Sequence, residues 1–153
     1  MNAALAVSID DPRWRGRVRG AHALVRRAAR AALDGAGRVG EIRYKLADDS
    51  CLRALNHDFR GLDKPTNVLS FPDDAPGALG DVALAFETCA AEARAQGKKL
   101  DAHLAHLVVH GTLHLLGWEH ETIPEALAME ARERRVLRRL RVPDPYRARK
   151  FRR

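Results

Sequence analysis

Cysteine is nearly absent: Cys51 and Cys89 are the only two in 153 residues, and they form no Cys-x-x-Cys pair. A disulfide framework is thereby excluded, and two reduced, partly buried thiols are expected, with a single bridge between them as the alternative. Aromatic residues are scarce as well, at 5 %, which argues against a platform that grips nucleic acid by stacking bases. No apolar run approaches the roughly 18 residues that a membrane helix needs. The first nine residues are mostly apolar, but no basic residue precedes them and Asp10 and Asp11 follow at once. That order is wrong for a secretory signal, so the cytoplasm is the expected location and a membrane is not an expected partner. Internal repeats and low-complexity linkers are also missing, and the length suits a single domain over 1–153.

What is present in excess is positive charge. Lysine and arginine number 27 against 20 acidic residues, giving a net charge of +7 and a pI near 10.1. Nucleic acid is the commonest partner for such a balance, because each neutralised phosphate releases counterions. An anionic membrane or an acidic protein satisfies the same electrostatics. Six arginines between Arg132 and Arg141 crowd the last predicted helix, where Glu125, Glu130 and Glu133 are available to pair with some of them. The final stretch, 141–153, holds two prolines and six basic residues, reads as an extended basic tail, and has fewer acids to offset it.

Periodicity and punctuation divide the chain into short elements. Leu5 to Ile9 alternates as a first strand, and Arg19 to Leu33 is rich in helix formers and stopped by Asp34-Gly35. Val39 to Leu46 reads as a second strand, and Asp48 and Asp49 offer an N-cap to a helix from Ser50 to Asp58. The stretch from Arg60 to Pro65 is a loop by its Gly and Pro content. Asn67 to Phe71 and Leu79 to Phe86 read as two more strands, joined through 72–78 as an antiparallel pair. Three helices follow: Glu87 to Gln96, Leu100 to Leu116, and one begun by Pro124 that runs to about Leu140. This order predicts an α+β fold, a small mixed β-sheet flanked by helices.

The informative segment runs from His110 to His120. On a helix, His110 and His114 stand one above the other on one face, so both imidazoles can meet one ion. Gly117 can end that helix in the left-handed conformation and turn the chain back, bringing His120 to the same ion. Three protein ligands leave a fourth position open, the pattern of a catalytic rather than a structural zinc site. His106 makes a rival pair with His110, and a histidine-rich helix facing solvent is the bland alternative. The spacing His-x-x-x-His-x-x-Gly-x-x-His is also that of metzincin peptidases, whose second position is a glutamate base. Here that position is Gly111, which cannot take a proton, so a zinc metallopeptidase is a minor reading.

These residues resemble the YbeY family of bacterial ribosomal-RNA maturation factors. Residues 110–120 match its His-Gly-x-Leu-His-Leu-x-Gly-Tyr-Asp-His pattern, with Trp118 for the tyrosine and Glu119 for the aspartate. Phe59-Arg60-Gly61 with Thr66 to Pro72, then Leu79-Gly80-Asp81-Val82, match two further signatures, and Asp144-Pro145-Tyr146 matches the family's C-terminal end. The resemblance covers roughly residues 40–146. It implies a zincin-like metal-binding helix, one zinc ion on His110, His114 and His120, and a functional role for Arg60. A guanidinium fork suits phosphate oxygens, whereas the ordinary alternative is a loop arginine paired with Asp63 or solvated. The implied activity is a single-strand endoribonuclease acting in 16S rRNA 3′-end maturation and ribosome quality control, with ribosomal RNA and small-subunit ribosomal proteins as partners. A non-catalytic ribosome-assembly factor with a structural metal is the alternative from another class. Three imidazoles also suit nickel, copper or iron. Glu119 is a possible orienting partner of a ligand histidine. Asp81 reads as a turn residue first and as such a partner second, His106 as a buried supporting residue, and His22 and His57 as incidental.

Overall fold

A computed structural model describes residues 4–61 and 66–146, without the side chain of Arg60. Four strands form one sheet: β1 (Leu5–Ile9), β2 (Glu41–Ala47), β3 (Val68–Pro72) and β4 (Ala78–Ala85). Their spatial order is β1-β2-β4-β3. β1 pairs parallel with β2 and β2 parallel with β4, while β3 runs antiparallel to β4. The antiparallel β3–β4 pair and the mixed sheet are as the sequence predicts. The helices are α1 (Arg13–Arg17), α2 (Ala21–Leu33), α3 (Asp49–Arg60), α4 (Phe86–Ala95), α5 (Leu100–Leu115) and α6 (Ile123–Arg139).

Each face of the sheet is covered differently. Ile42, Tyr44 and Leu46 of β2 and Val82 and Leu84 of β4 enter the main core with α2, α5 and α6. Ala83 and Ala85, on the opposite face of β4, join Ala47, Leu52 and Leu69 in a smaller cluster beneath α3. β4 is thus buried on both faces, which is why its sequence is a near-continuous apolar run. β2 alternates from Glu41 to Leu46, before Ala47 joins the smaller cluster, because its second face is open there, and on it Arg43 pairs with Asp81 at 2.6 Å and Lys45 with Asp10 at 3.3 Å.

Small residues let α2 lie close on the core: Ala28, Ala29 and Ala32 are all fully buried. α1 is an element that periodicity does not reveal, since five residues are too few to show a helical stripe. It seats Trp14, fully buried, whose Nε1–H donates to the Ala47 carbonyl at 2.9 Å and whose ring meets Phe86 edge-on. α5 is the central helix. It packs on the sheet through Tyr44, whose hydroxyl lies 2.7 Å from Thr112 Oγ1, and through Ser70, whose Oγ–H donates to the Gly111 carbonyl at 2.9 Å.

Helix ends follow the expected signals. Asp48 caps α3 by accepting from the Cys51 amide at 2.8 Å. Thr122 and Glu125 form a reciprocal capping box at the start of α6, with Pro124 in its first turn. Residues 141–146, expected in the extended tail, carry no helix or strand, yet they are held against α6 by Arg134–Asp144 and by Tyr146. The rest of that tail, 147–153, lies outside the described residues, as does Asp63. Cys51 and Cys89 are both free thiols. No helix among the described residues is long and apolar enough to cross a membrane.

Candidate metal centre

The C-terminal half of α5 carries His110 and His114 one turn apart on the side facing α6. Gly117 then takes a φ of 100°, a value strained for any side chain. The Trp118 amide returns to the Leu113 carbonyl at 3.0 Å and the Gly117 amide to the His114 carbonyl at 3.0 Å, closing a Schellman turn. That turn delivers His120. Its ring centroid lies 5.3 Å from that of His110 and 4.7 Å from that of His114. One ring nitrogen from each of the three lies within 4.8 Å of the others.

The donor set can be tested against an ion. The Nε2 atoms of His110 and His114 approach to 3.1 Å. Two tetrahedral ligands at zinc–nitrogen distances of 2.0–2.1 Å stand about 3.3 Å apart, so the spacing fits. The other nitrogens are already engaged: His110 Nδ1 lies 2.7 Å from Glu133 Oε2, and His114 Nδ1 lies 2.9 Å from the Trp118 carbonyl. Both acceptors require a proton on Nδ1, which leaves each Nε2 with a lone pair directed at the shared point. Burial lowers the His114 pKa, with the neighbouring His110 and His120 adding to the effect. His114 is therefore neutral and able to donate its lone pair at neutral pH.

Glu133 organises the second layer of contacts. It is fully buried on the inner face of α6, beside Met129, Val136 and Leu137. Its carboxylate accepts from His106 Nε2 at 2.9 Å, from His110 Nδ1 and from the Tyr146 hydroxyl. Burial alone would raise its pKa, but the bonds from His106 and His110 outweigh that and hold the carboxyl well below the usual range. The expectation that Glu133 pairs with helix arginines is therefore corrected: three donors from α5 and the C-terminal segment claim it instead. A signal was present in the sequence. Met129, Glu133, Val136 and Leu137 recur at helical spacing, which places this one acid on the apolar stripe.

His106 is the supporting residue it was read to be, with Nε2 on Glu133 and a buried Nδ1 that has no partner. Asp81 is neither a turn residue nor a partner of the histidines. It sits in β4 across from Arg43 and bonds that guanidinium, because a lone carboxylate and a guanidinium on the open sheet face pair most easily with each other. Glu119 is exposed and makes no hydrogen bond to a histidine. The orienting role considered for it falls to Glu133 and the Trp118 carbonyl. His57 is exposed beside Asp58. Arg60 closes α3 before Gly61, and its side chain lies outside the description.

Gly111 faces the sheet. A Cβ there would stand 2.8 Å from Val82 Cγ1 and 3.0 Å from Ser70 Oγ. The position that carries the general base in metzincins thus has no room for a side chain. This packing adds a steric objection to the chemical one against a peptidase.

Comparisons with known proteins point to one family. A profile of the family described as Endoribonuclease YbeY matches residues 7–141. The protein named Endoribonuclease YbeY from Rhodopseudomonas palustris (strain BisA53) is 54% identical over 128 residues, covering 78% of this chain and 74% of that protein. The one from Paramagnetospirillum magneticum is 50% identical over 155 residues, covering 93% and 94% of the two chains. The solution structure of TM1509 from Thermotoga maritima shares the fold, with a TM-score of 0.60 at 21% identity over 90% of this chain and 91% of that one. With a profile match running nearly end to end and relatives this similar across most of their length, the chain belongs to the YbeY family of endoribonucleases.

Proposed function

We propose that the protein is a metal-dependent endoribonuclease that cleaves single-stranded ribosomal RNA in the cytoplasm, in 16S rRNA 3′-end maturation and ribosome quality control. The observation that carries this reading is the convergence of three imidazole nitrogens within 4.8 Å, two of them with their Nδ1 atoms committed elsewhere. His110, His114 and His120 would hold one zinc ion. When bound, zinc lowers the pKa of a coordinated water toward about 7 and polarises a phosphoryl oxygen. The protein's own residues do the rest. Glu133 and the Trp118 carbonyl keep His110 and His114 in the tautomer that presents Nε2. Arg60 binds a phosphate of the RNA through its planar fork. Small-subunit ribosomal proteins are the partners that would direct the enzyme to one RNA end.

The test uses purified protein, His114→Ala and Arg60→Ala, each assayed on single-stranded RNA and on a generic peptide, with metal content measured alongside. The expected result is RNA cleavage by the wild type and none of the peptide. His114→Ala should lose both metal and cleavage. Arg60→Ala should keep its metal and lose cleavage. Full-rate cleavage by His114→Ala would expose a contaminating nuclease and defeat the proposal. RNA binding with no cleavage under any divalent metal would leave an assembly factor instead.

A further inference from the structure

A second feature of the molecule lies outside the histidine centre. A cleft of about 770 Å³ opens between the end of α2, the α2–β2 loop and the end of α6. Five exposed guanidinium side chains line it: Arg27 and Arg30 from α2, Arg38 from the loop, and Arg139 and Arg141 from the end of α6. Its one acid is Asp34, and that carboxylate is taken by Arg139 at 2.8 Å. Arg27, Arg30 and Arg141 form no ion pair with any described residue. Guanidiniums gathered this way repel one another, and a polyanion laid among them relieves the repulsion.

Two details tie the cleft to function. Arg38 Nη1 donates to the carbonyl of Leu115, the residue next to His114, at 3.3 Å, so one lining residue of the cleft is anchored to the C-terminal turn of α5. The second is the backbone at Arg141. α4 and α5 both end in a Schellman turn with glycine in the left-handed position, Gly97 at φ 66° and Gly117 at φ 100°. α6 ends with the same pair of bonds, the Val142 amide to Leu137 and the Arg141 amide to Arg138, but with arginine in that position at φ 60°. It is the sole non-glycine described residue with positive φ. Glycine is the easy residue there. The chain carries instead a side chain that adds a fifth positive charge to the cleft.

We infer that this arginine cleft binds the phosphate backbone of single-stranded RNA, holding the strand on which the three imidazoles act. The inference rests on the proposed endoribonuclease reading for the identity of the polyanion. Guanidiniums recognise phosphate by charge and fork geometry, so the cleft grips without reading sequence.

The test is fluorescence anisotropy with a labelled oligouridylate, in EDTA so that no cleavage intervenes, across a salt series. The triple variant Arg27→Gln/Arg30→Gln/Arg141→Gln changes exposed positions only and should melt near the wild-type temperature. Losing three phosphate contacts should lower the slope of log K against log salt by about 2 and weaken binding roughly 10- to 100-fold near 0.1 M salt. The control Arg15→Gln/Arg17→Gln/Arg19→Gln removes equal charge near the other end of α2 and should change the slope little. Wild-type affinity and slope in the cleft variant would overturn the inference, as would an equal loss in the control or a wild type that binds no RNA. Cleavage is scored separately with metal restored. A wild type that binds through the cleft but never cleaves refutes the endoribonuclease reading and upholds the cleft. A wild type that cleaves while the cleft variant binds normally does the reverse.

Discussion

Glu133 shows what a single residue contributes when it is buried with a charge. A lone carboxylate in an apolar interior is costly, and here three donors compensate it. Those same bonds fix His110, so the residue would link fold stability to the metal affinity proposed for the three histidines. Glu133→Ala should destabilise the apo protein by about 3 kcal/mol, because buried donors left unpaired cost roughly 1–3 kcal/mol each. Urea denaturation reads that loss. Glu133→Gln keeps the volume and most of the bonds, so it should fold yet bind zinc about 10- to 100-fold more weakly, as removal of an orienting partner does. Competition against a chelating dye measures the affinity, and an unchanged value in a folded Gln variant would confine Glu133 to a structural role. At this scale the sequence was only partly legible. The three histidines could be read from spacing and one glycine, since His-x-x-x-His on a helix leaves little geometric freedom. Glu133, 23 positions from His110, could be placed on an apolar stripe but not assigned to a partner on another helix.

The histidine helix α5 illustrates the element scale, where packing governs more than propensity. Gly111 costs helix stability relative to alanine by about 1 kcal/mol. It is placed where α5 meets β3 and β4, with the Ser70 hydroxyl on its carbonyl. Gly111→Ala should gain that propensity and lose more to overpacking against Val82 and Ser70, typically 1–3 kcal/mol, for a net loss of about 1 kcal/mol. Gly111→Glu, which rebuilds the metzincin pattern, should be destabilised further and gain no peptidase activity. Thermal melts and a peptide-cleavage assay check both; a stable, peptide-cleaving Glu variant would overturn the packing account. Element boundaries were read from the sequence to within a residue or two where glycine, proline or a cap marks them, as at Asp48, Gly117 and Pro124. α1 was not, because its signature is one tryptophan whose partners lie on β2 and α4.

For the whole molecule, pH acts through histidines that folding keeps neutral. His103 is buried between α4 and α5 with Nε2 2.8 Å from Glu92 Oε1 and its Nδ1 without a partner. Burial lowers its pKa more than Glu92 raises it, and His114 shifts the same way. The unfolded chain therefore holds these protons more tightly than the native one. Stability should be at its full value above about 6.5, the ordinary histidine pKa, and fall as pH drops below it. Urea midpoints of the metal-free protein at neutral and mildly acidic pH test this, with His103→Gln expected to flatten the difference. A midpoint that does not move with pH would show that these rings are solvated in the native state.

The sequence by itself determined the local geometry: where the longer helices start and stop, which stretches are strands, and which three imidazoles can meet. Those properties depend on neighbours within a turn or two, so spacing and a few special residues suffice. Only the tertiary structure decided that β2 lies beside β4, that Glu133 serves the histidines, that Asp81 belongs to Arg43, and that five arginines from three segments share one cleft. Each of these joins residues far apart in the chain, and their meeting depends on how apolar faces stack, which no local pattern encodes.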